Sequence, residues 1–248
     1  MEWFNRLYFG TWQLSGQFKN LSPAYIESLL LFAISSGIRR FDTATVYGEG
    51  KVEEMLGAYL TEYAVIVTKI PAIKKPKLEV AAPIDEFYTP DQLDQSVEGS
   101  LRRLKRTQLD TILLHNWLPS WSSDASGILH HLQAMKNEGV VRSVGISLPD
   151  NFSAHIDDEV LPLIDVIEAP YNPNQKWVLE QLPRFISLRK EVLLRSLFDQ
   201  GKLLAAYTVE SLVTDAAKLG TSVVIGMTTK SQITQNINHL KGEHNALV

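Results

Sequence analysis

Asp42, Tyr47, Lys69 and His115 are the residues of this sequence best suited to moving a proton. Asp42 and Tyr47 lie in Phe41-Asp42-Thr43-Ala44-Thr45-Val46-Tyr47-Gly48, Lys69 in Val67-Thr68-Lys69, and His115 in Leu113-Leu114-His115-Asn116. Each of these segments sits at, or just past, the end of an apolar run that reads as a buried strand. A free phenol titrates at about 10, too high for an efficient donor near neutrality. A neighbouring ammonium favours the phenolate and lowers that value. Lys69 suits this part for Tyr47, Asp42 can hold Lys69 by an ion pair, and His115 can donate to a substrate oxygen. Such a set could protonate the alkoxide that develops when a carbonyl is reduced. No side chain donates a hydride, so that reaction would need a cofactor. A fourth segment, Ile225-Gly226-Met227-Thr228-Thr229-Lys230, is a Gly-bearing turn into a polar helix, and the free N–H groups of a helix start suit a phosphate. Taken singly, each residue has a plainer explanation: Asp42 as a turn cap, Tyr47 as packing, Lys69 as a solvated charge, His115 as a hydrogen-bonded structural residue. The four together, in this order, point to a site.

The elements that must position them alternate. Short apolar runs at Leu7–Trp12, Ile38–Asp42, Val65–Thr68, Thr111–His115, Val141–Ser147, Val166–Ala169, Glu191–Arg195 and Ser222–Gly226 read as strands covered on both faces. Helical patterns lie between them. One runs from Ser22-Pro23 to about Ser36, followed by Lys51 to Tyr59, Thr89-Pro90 through Leu104, and Ile128–Asn137. Others are expected from about Asn151 to Val160, over Trp177–Arg189 and Val209–Leu219, and from Lys230 to about Leu240. Eight strands in alternation with helices predict an α/β fold, a (β/α)8 TIM barrel, as one domain over residues 1–248; barrels of this kind commonly reach ~250 residues. An open doubly wound sheet is the competing architecture, but Gly10-Thr11-Trp12 offers no G-x-G-x-x-G after the first strand. The stretch Pro71 to Thr89, with three prolines and three lysines, follows the third strand. It reads as a lid or substrate loop, or as an exposed Pro-rich connection.

With Gly10-Thr11-Trp12, Asp-Thr-Ala-x-x-Tyr-Gly-x-Gly from Asp42 to Gly50, Thr68-Lys69, Leu-Leu-His at 113–115, Val-Gly-Ile-Ser at 144–147, Tyr171-Asn172 and Ile-Gly-Met-Thr-Thr-Lys at 225–230, the chain resembles the aldo-keto reductase superfamily over nearly its whole length. The resemblance implies a barrel, NADP(H) with NAD(H) also admissible, and an Asp42, Tyr47, Lys69, His115 tetrad in which Tyr47 is the general acid. It implies cofactor contacts at Gly10, Thr11, Trp12, Ser147, Glu168, Arg195, Ser196, Gly226, Thr228, Thr229, Lys230 and Asn236. In several places the sequence departs from the family pattern. Leu148 stands where Asn is frequent, Glu168 where Gln is usual, Arg195 where an aromatic ring often covers the nicotinamide, and Gln232 where an Arg often meets the 2′-phosphate. An ionised Glu168 can accept from a carboxamide but cannot donate to it; the plainer reading is a buried ion pair with Arg195. Trp12, Trp117 and Trp121 are candidate pocket walls.

Composition excludes other classes. There is no cysteine, hence no disulfide or thiolate metal site. The net charge of −4 gives no basic field for nucleic acid. No run approaches the ~20 apolar residues of a membrane span, and the first residues do not read as a secretory signal, so a cytoplasmic protein is expected. No metal is expected: His130 and His131 are adjacent on a helix, and His155, His239 and His244 fall off the strand ends. The partner is a small carbonyl compound; the oligomeric state and the natural substrate are open. The alternative function is a nucleotide-binding barrel that senses redox state or docks a partner with little turnover.

Overall fold

The computed structural model describes residues 3–246. Its strands are β1 (Leu7–Gly10), β2 (Arg40–Asp42), β3 (Val65–Pro71), β4 (Leu109–His115), β5 (Val141–Ser147), β6 (Val166–Pro170), β7 (Glu191–Arg195) and β8 (Ser222–Gly226). They pair in parallel in chain order, and β8 returns to β1 to close the barrel. The α-helices are α1 (Pro23–Ser35), α2 (Lys51–Tyr59), α3 (Pro90–Leu104), α4 (Ser126–Asn137), α5 (Trp177–Ser187), α6 (Val209–Lys218) and α7 (Lys230–Ala246). This is the (β/α)8 architecture that the alternation predicted. The Ser22, Thr89 and Thr208 side chains cap α1, α3 and α6 by accepting from the backbone N–H three residues on.

Two expectations need correction. The first strand ends at Gly10, and Trp12 opens a 3-10 turn over Trp12–Ser15. The expected helix from Asn151 to Val160 is absent: the β5–β6 crossing is a series of turns with one 3-10 turn at Leu161–Leu163. Asn151 takes a left-handed φ of 61° at the would-be start. Asp157, Asp158 and Glu159 would crowd negative charge at the C-terminal end, where the helix dipole opposes it. Phe152, Ile156 and Val160 are nonetheless buried, so the segment covers the barrel without helical geometry.

The barrel interior is a separate cluster of Tyr8, Val67, Leu113, Val166, Leu193 and Val224. Below it, Arg40 donates to the Tyr8 hydroxyl at 2.6 Å, and that hydroxyl donates to Glu191 at 2.9 Å. The strands approach closely on one side: a Cβ at Gly145 would lie 2.0 Å from the Val166 carbonyl oxygen, so only glycine fits there.

Candidate active site

Side chains alternate along a strand, so the residue two positions beyond each interior residue also points inward, one layer nearer the C-terminal mouth. From Tyr8, Val67, Leu113, Val166, Leu193 and Val224 this rule yields Gly10, Lys69, His115, Glu168, Arg195 and Gly226. The same step leads from Arg40 to Asp42 on β2, and from Gly145 to Ser147 on β5. The mouth layer is therefore charged and polar, with glycines on β1 and β8.

Lys69 is at its centre, with 1% of its surface exposed. Its Nζ donates to Asp42 Oδ2 at 2.5 Å and to the Thr43 carbonyl at 3.0 Å, and lies 3.3 Å from Glu168 Oε2. Glu168 Oε1 accepts from Ser147 Oγ at 2.9 Å and lies 3.4 Å from Arg195 Nε. Arg195 also donates to Asp150 Oδ1, to Ser196 Oγ and to the Leu148 carbonyl, at 2.7, 2.7 and 2.5 Å. An alternating chain of charge thus crosses the mouth: Asp42, Lys69, Glu168, Arg195, Asp150. The expected pair of Glu168 with Arg195 is present, and Lys69 joins it.

Tyr47 leans over this chain. Its ring is half-buried, lies 5.6 Å from Lys69 Nζ and stacks on Trp12 with centroids 6.3 Å apart. Among the described residues its hydroxyl makes no hydrogen bond. Trp12 is held in turn by Phe18, edge-on at 4.7 Å, and by its indole N–H to Gln17.

Burial opposes charge on Lys69, but Asp42 and then Glu168 outweigh it, so the ammonium is held well above its ordinary range. Burial and then the Glu168 charge raise Asp42. Burial would raise Glu168 too, but Lys69 and Arg195 prevail and hold it low. Burial pushes the Tyr47 phenol up to about 12; Lys69 pulls it down, as the sequence suggested, but does not win. Burial, then Lys69, lowers His115 to about 3. At neutral pH the imidazole is therefore uncharged and can donate one N–H without being an acid.

The remaining candidates divide. Thr11 is buried, and its hydroxyl donates to the Asp42 carbonyl, bracing the start of the Asp42–Tyr47 turn. Ser196 carries a φ of 60° and accepts from Arg195. Gly10 and Gly226 pair across β1 and β8, and the Gln13 side chain lies where a Gly226 Cβ would go. Thr228 and Thr229 open α7. The Lys230 ammonium lies 5.6 Å from the Phe32 ring of α1. Trp117 and Trp121 do not wall a pocket: both are fully buried. They pack edge to face and anchor the loop after β3, where Trp121 Nε1 donates to the Ala82 carbonyl and meets Phe87 and Tyr88. That loop is also tied by Ile73 N–H to the Phe87 carbonyl and by Ile84 N–H to Asp124, which leaves Lys75 and Lys77–Ala81 exposed at its tip. Gln13 and Asp150 carry no motif that would have singled them out, and Thr43 lies within the Asp-Thr-Ala motif but acts through its backbone carbonyl.

Among the buried side-chain oxygens without a hydrogen-bond partner are Asn236 Oδ1 and Glu168 Oε2, the latter beside the Lys69 ammonium at 3.3 Å. Buried acceptors rarely stay unpaired. An amide NH2 would satisfy Glu168, and an adenine amino group would satisfy Asn236. The residues present fit the two ends of a nicotinamide adenine dinucleotide.

The model of the Aldo/keto reductase family matches residues 6–182. The chain belongs to this family. An uncharacterised oxidoreductase of Bacillus subtilis, YcsN, is 31% identical over 159 residues, 61% of this chain and 51% of that protein. The 6-dehydroglucose reductase of Agrobacterium fabrum is 27% identical over 150 residues, 58% of this chain and 50% of that protein. The D-threo-aldose 1-dehydrogenase of a Pseudomonas species is 26% identical over 217 residues, 79% of this chain and 66% of that protein. The chain thus spans about half the length of the first two relatives. Among solved structures, the glycerol dehydrogenase of Gluconobacter oxydans superposes with a TM-score of 0.75 at 19% identity, covering 97% of this chain and 89% of that one. An aldo/keto reductase of Klebsiella pneumoniae in complex with NADP and acetate gives a TM-score of 0.69 at 18% identity, with 95% and 85% covered. These two likenesses concern the fold. No helix among the described residues of this chain is long and apolar enough to cross a membrane.

Proposed function

We propose that this chain reduces the aldehyde or ketone group of a small, polyhydroxylated compound, with Tyr47 as proton donor and a nicotinamide dinucleotide as reductant. One observation carries the reading. Of the titratable groups at the mouth, Tyr47 alone combines a transferable proton at neutral pH with a hydroxyl that has no partner among the described residues. His115 holds no acidic proton, and the Lys69 proton is locked between two carboxylates. A sugar-like substrate is supported by the relatives named for 6-dehydroglucose and D-threo-aldose.

In this reading the bound dinucleotide supplies the hydride. Glu168 and Ser147 hold its carboxamide, and Asn236 meets its adenine. His115 donates a neutral N–H to the carbonyl oxygen and orients it. Tyr47 delivers its proton to that oxygen as negative charge develops, and the positive field of Lys69 stabilises the phenolate left behind. Trp12 keeps the phenol ring in place.

The test is direct. Purified protein with NADH or NADPH and a panel of aldehydes, ketones and aldoses is followed by loss of absorbance of the reduced nicotinamide. Turnover of at least one class is expected. Tight nucleotide binding with no turnover across the panel would favour a sensing or docking barrel.

The charge chain adds a pH prediction. Asp42 and Glu168 both raise the Tyr47 phenol. A phenol acid works below its own pKa and fails as pH rises through it. Glu168→Gln removes one negative charge, lowers that pKa and moves the alkaline limb of kcat/KM to lower pH, by roughly one unit. An equal loss of kcat/KM at pH 11 in the variant and in the unmodified protein would show that Glu168 does not set the phenol.

A further inference from the structure

The two residues that lead into α7 are capped by a side chain of its first turn. Gln232 Oε1 accepts from the backbone N–H of Thr228 at 2.7 Å and of Thr229 at 3.1 Å, and from the Thr228 hydroxyl at 3.3 Å. In return the Gln232 N–H donates to Thr229 Oγ1 at 3.2 Å. This is a reciprocal capping box, Thr229-x-x-Gln232, widened to take in one further residue. The Tyr25 hydroxyl fastens the same turn by donating to the Thr228 carbonyl at 3.0 Å. The nearest cation in sequence, Lys230, lies instead over the Phe32 ring of α1.

Free N–H groups at a helix start are what make it attractive to a phosphate. Here a neutral carbonyl oxygen takes those of Thr228 and Thr229, the two residues that lead into the helix, and presents its own lone pairs. To reach those two groups a phosphate would have to displace Gln232 from three hydrogen bonds, and Gln232 brings no guanidinium to replace them. A free ribose 2′-hydroxyl has no such conflict, because it can donate to Oε1. We propose that Gln232 sets the cofactor choice of this chain, so that it binds the dinucleotide lacking a 2′-phosphate, NADH, at least as tightly as NADPH. This rests on the reductase reading and refines it.

The experiment measures binding, with no carbonyl present. NADH and NADPH are titrated into the protein by calorimetry, and 5′-AMP is compared with 2′,5′-ADP as fragments. The proposal expects NADH to match or exceed NADPH, and 5′-AMP to match or exceed 2′,5′-ADP. Gln232→Arg should reverse the order, tightening NADPH about tenfold or more while leaving NADH within about threefold. NADPH binding more tightly than NADH to the unmodified protein would overturn the proposal and leave the reductase reading intact. Binding of neither dinucleotide would overturn both. Gln232 is exposed at a helix start and has no part in the core, so its variants are expected to fold.

Discussion

Tyr47→Phe should keep its fold and its nucleotide affinity and lose about 10²- to 10⁴-fold in kcat/KM, the range expected when a positioned acid is removed. The structural cost is small for a stated reason. The ring stays half-buried against Trp12, and the deleted hydroxyl has no hydrogen-bond partner among the described residues to be left unsatisfied. The catalytic cost is large because no neighbour can substitute. The imidazole of His115 titrates near 3 and offers no acidic proton. The Lys69 ammonium faces Asp42 and Glu168 and is held protonated by both. Water can reach the mouth and donate weakly, which sets the floor of residual activity. Steady-state kinetics on the best carbonyl substrate, with nucleotide titration as control, decide the matter. A variant that retains more than a tenth of kcat/KM removes Tyr47 from the role; one that loses nucleotide binding as well points to a packing defect.

Much of this site was legible from strand ends. Short apolar runs fixed which residues lie within strands, and the period of two then fixed which face inward. That is why Asp42, Lys69, His115, Ser147, Glu168 and Arg195 form one layer, and why strand boundaries mattered little. Side-chain partners were harder to foresee, because they depend on register between distant strands. The pair of Glu168 with Arg195 was foreseeable from charge alone. Its second partner, Lys69, arises three strands away across the barrel, and Asp150 reaches Arg195 from a loop without any motif. Trp117 and Trp121 misled because an aromatic residue near a mouth can face the ligand or the core equally well. Here the long loop after β3 needed an anchor. The Asn151–Val160 segment misled because its apolar residues have helical spacing while its backbone turns at Asn151. The capping box at Thr229 and Gln232 was written in the sequence, but the same positions also fit a phosphate-binding turn, and only geometry separates the two.

The largest stability effect should come from Lys69→Met. Lys69, Asp42 and Glu168 are all within a few per cent of complete burial. The ammonium is the one cation within 4 Å of Asp42 among the described residues, and it shares Glu168 with Arg195. Methionine matches the length of the stem but leaves two carboxylates facing each other without the charge between them. Breaking a buried pair by removing one partner typically costs about 3–5 kcal/mol, and that range is expected here. Urea unfolding followed by tryptophan fluorescence measures it. Two further outcomes separate lost charge from lost packing. Adding Glu168→Gln to Lys69→Met removes one of the stranded carboxylates and should recover part of the deficit, a coupling that a pure packing defect would not give. The deficit should also depend on pH. Without Lys69, the folded state holds its carboxylates at pKa values above those of the unfolded chain, so the folded state binds more protons. Its stability then falls as pH rises, and relative to the unmodified protein the variant regains stability as pH is lowered from 8 towards 5. A loss below about 1 kcal/mol that is constant across that range would mean that the two acids are satisfied by something other than the ammonium.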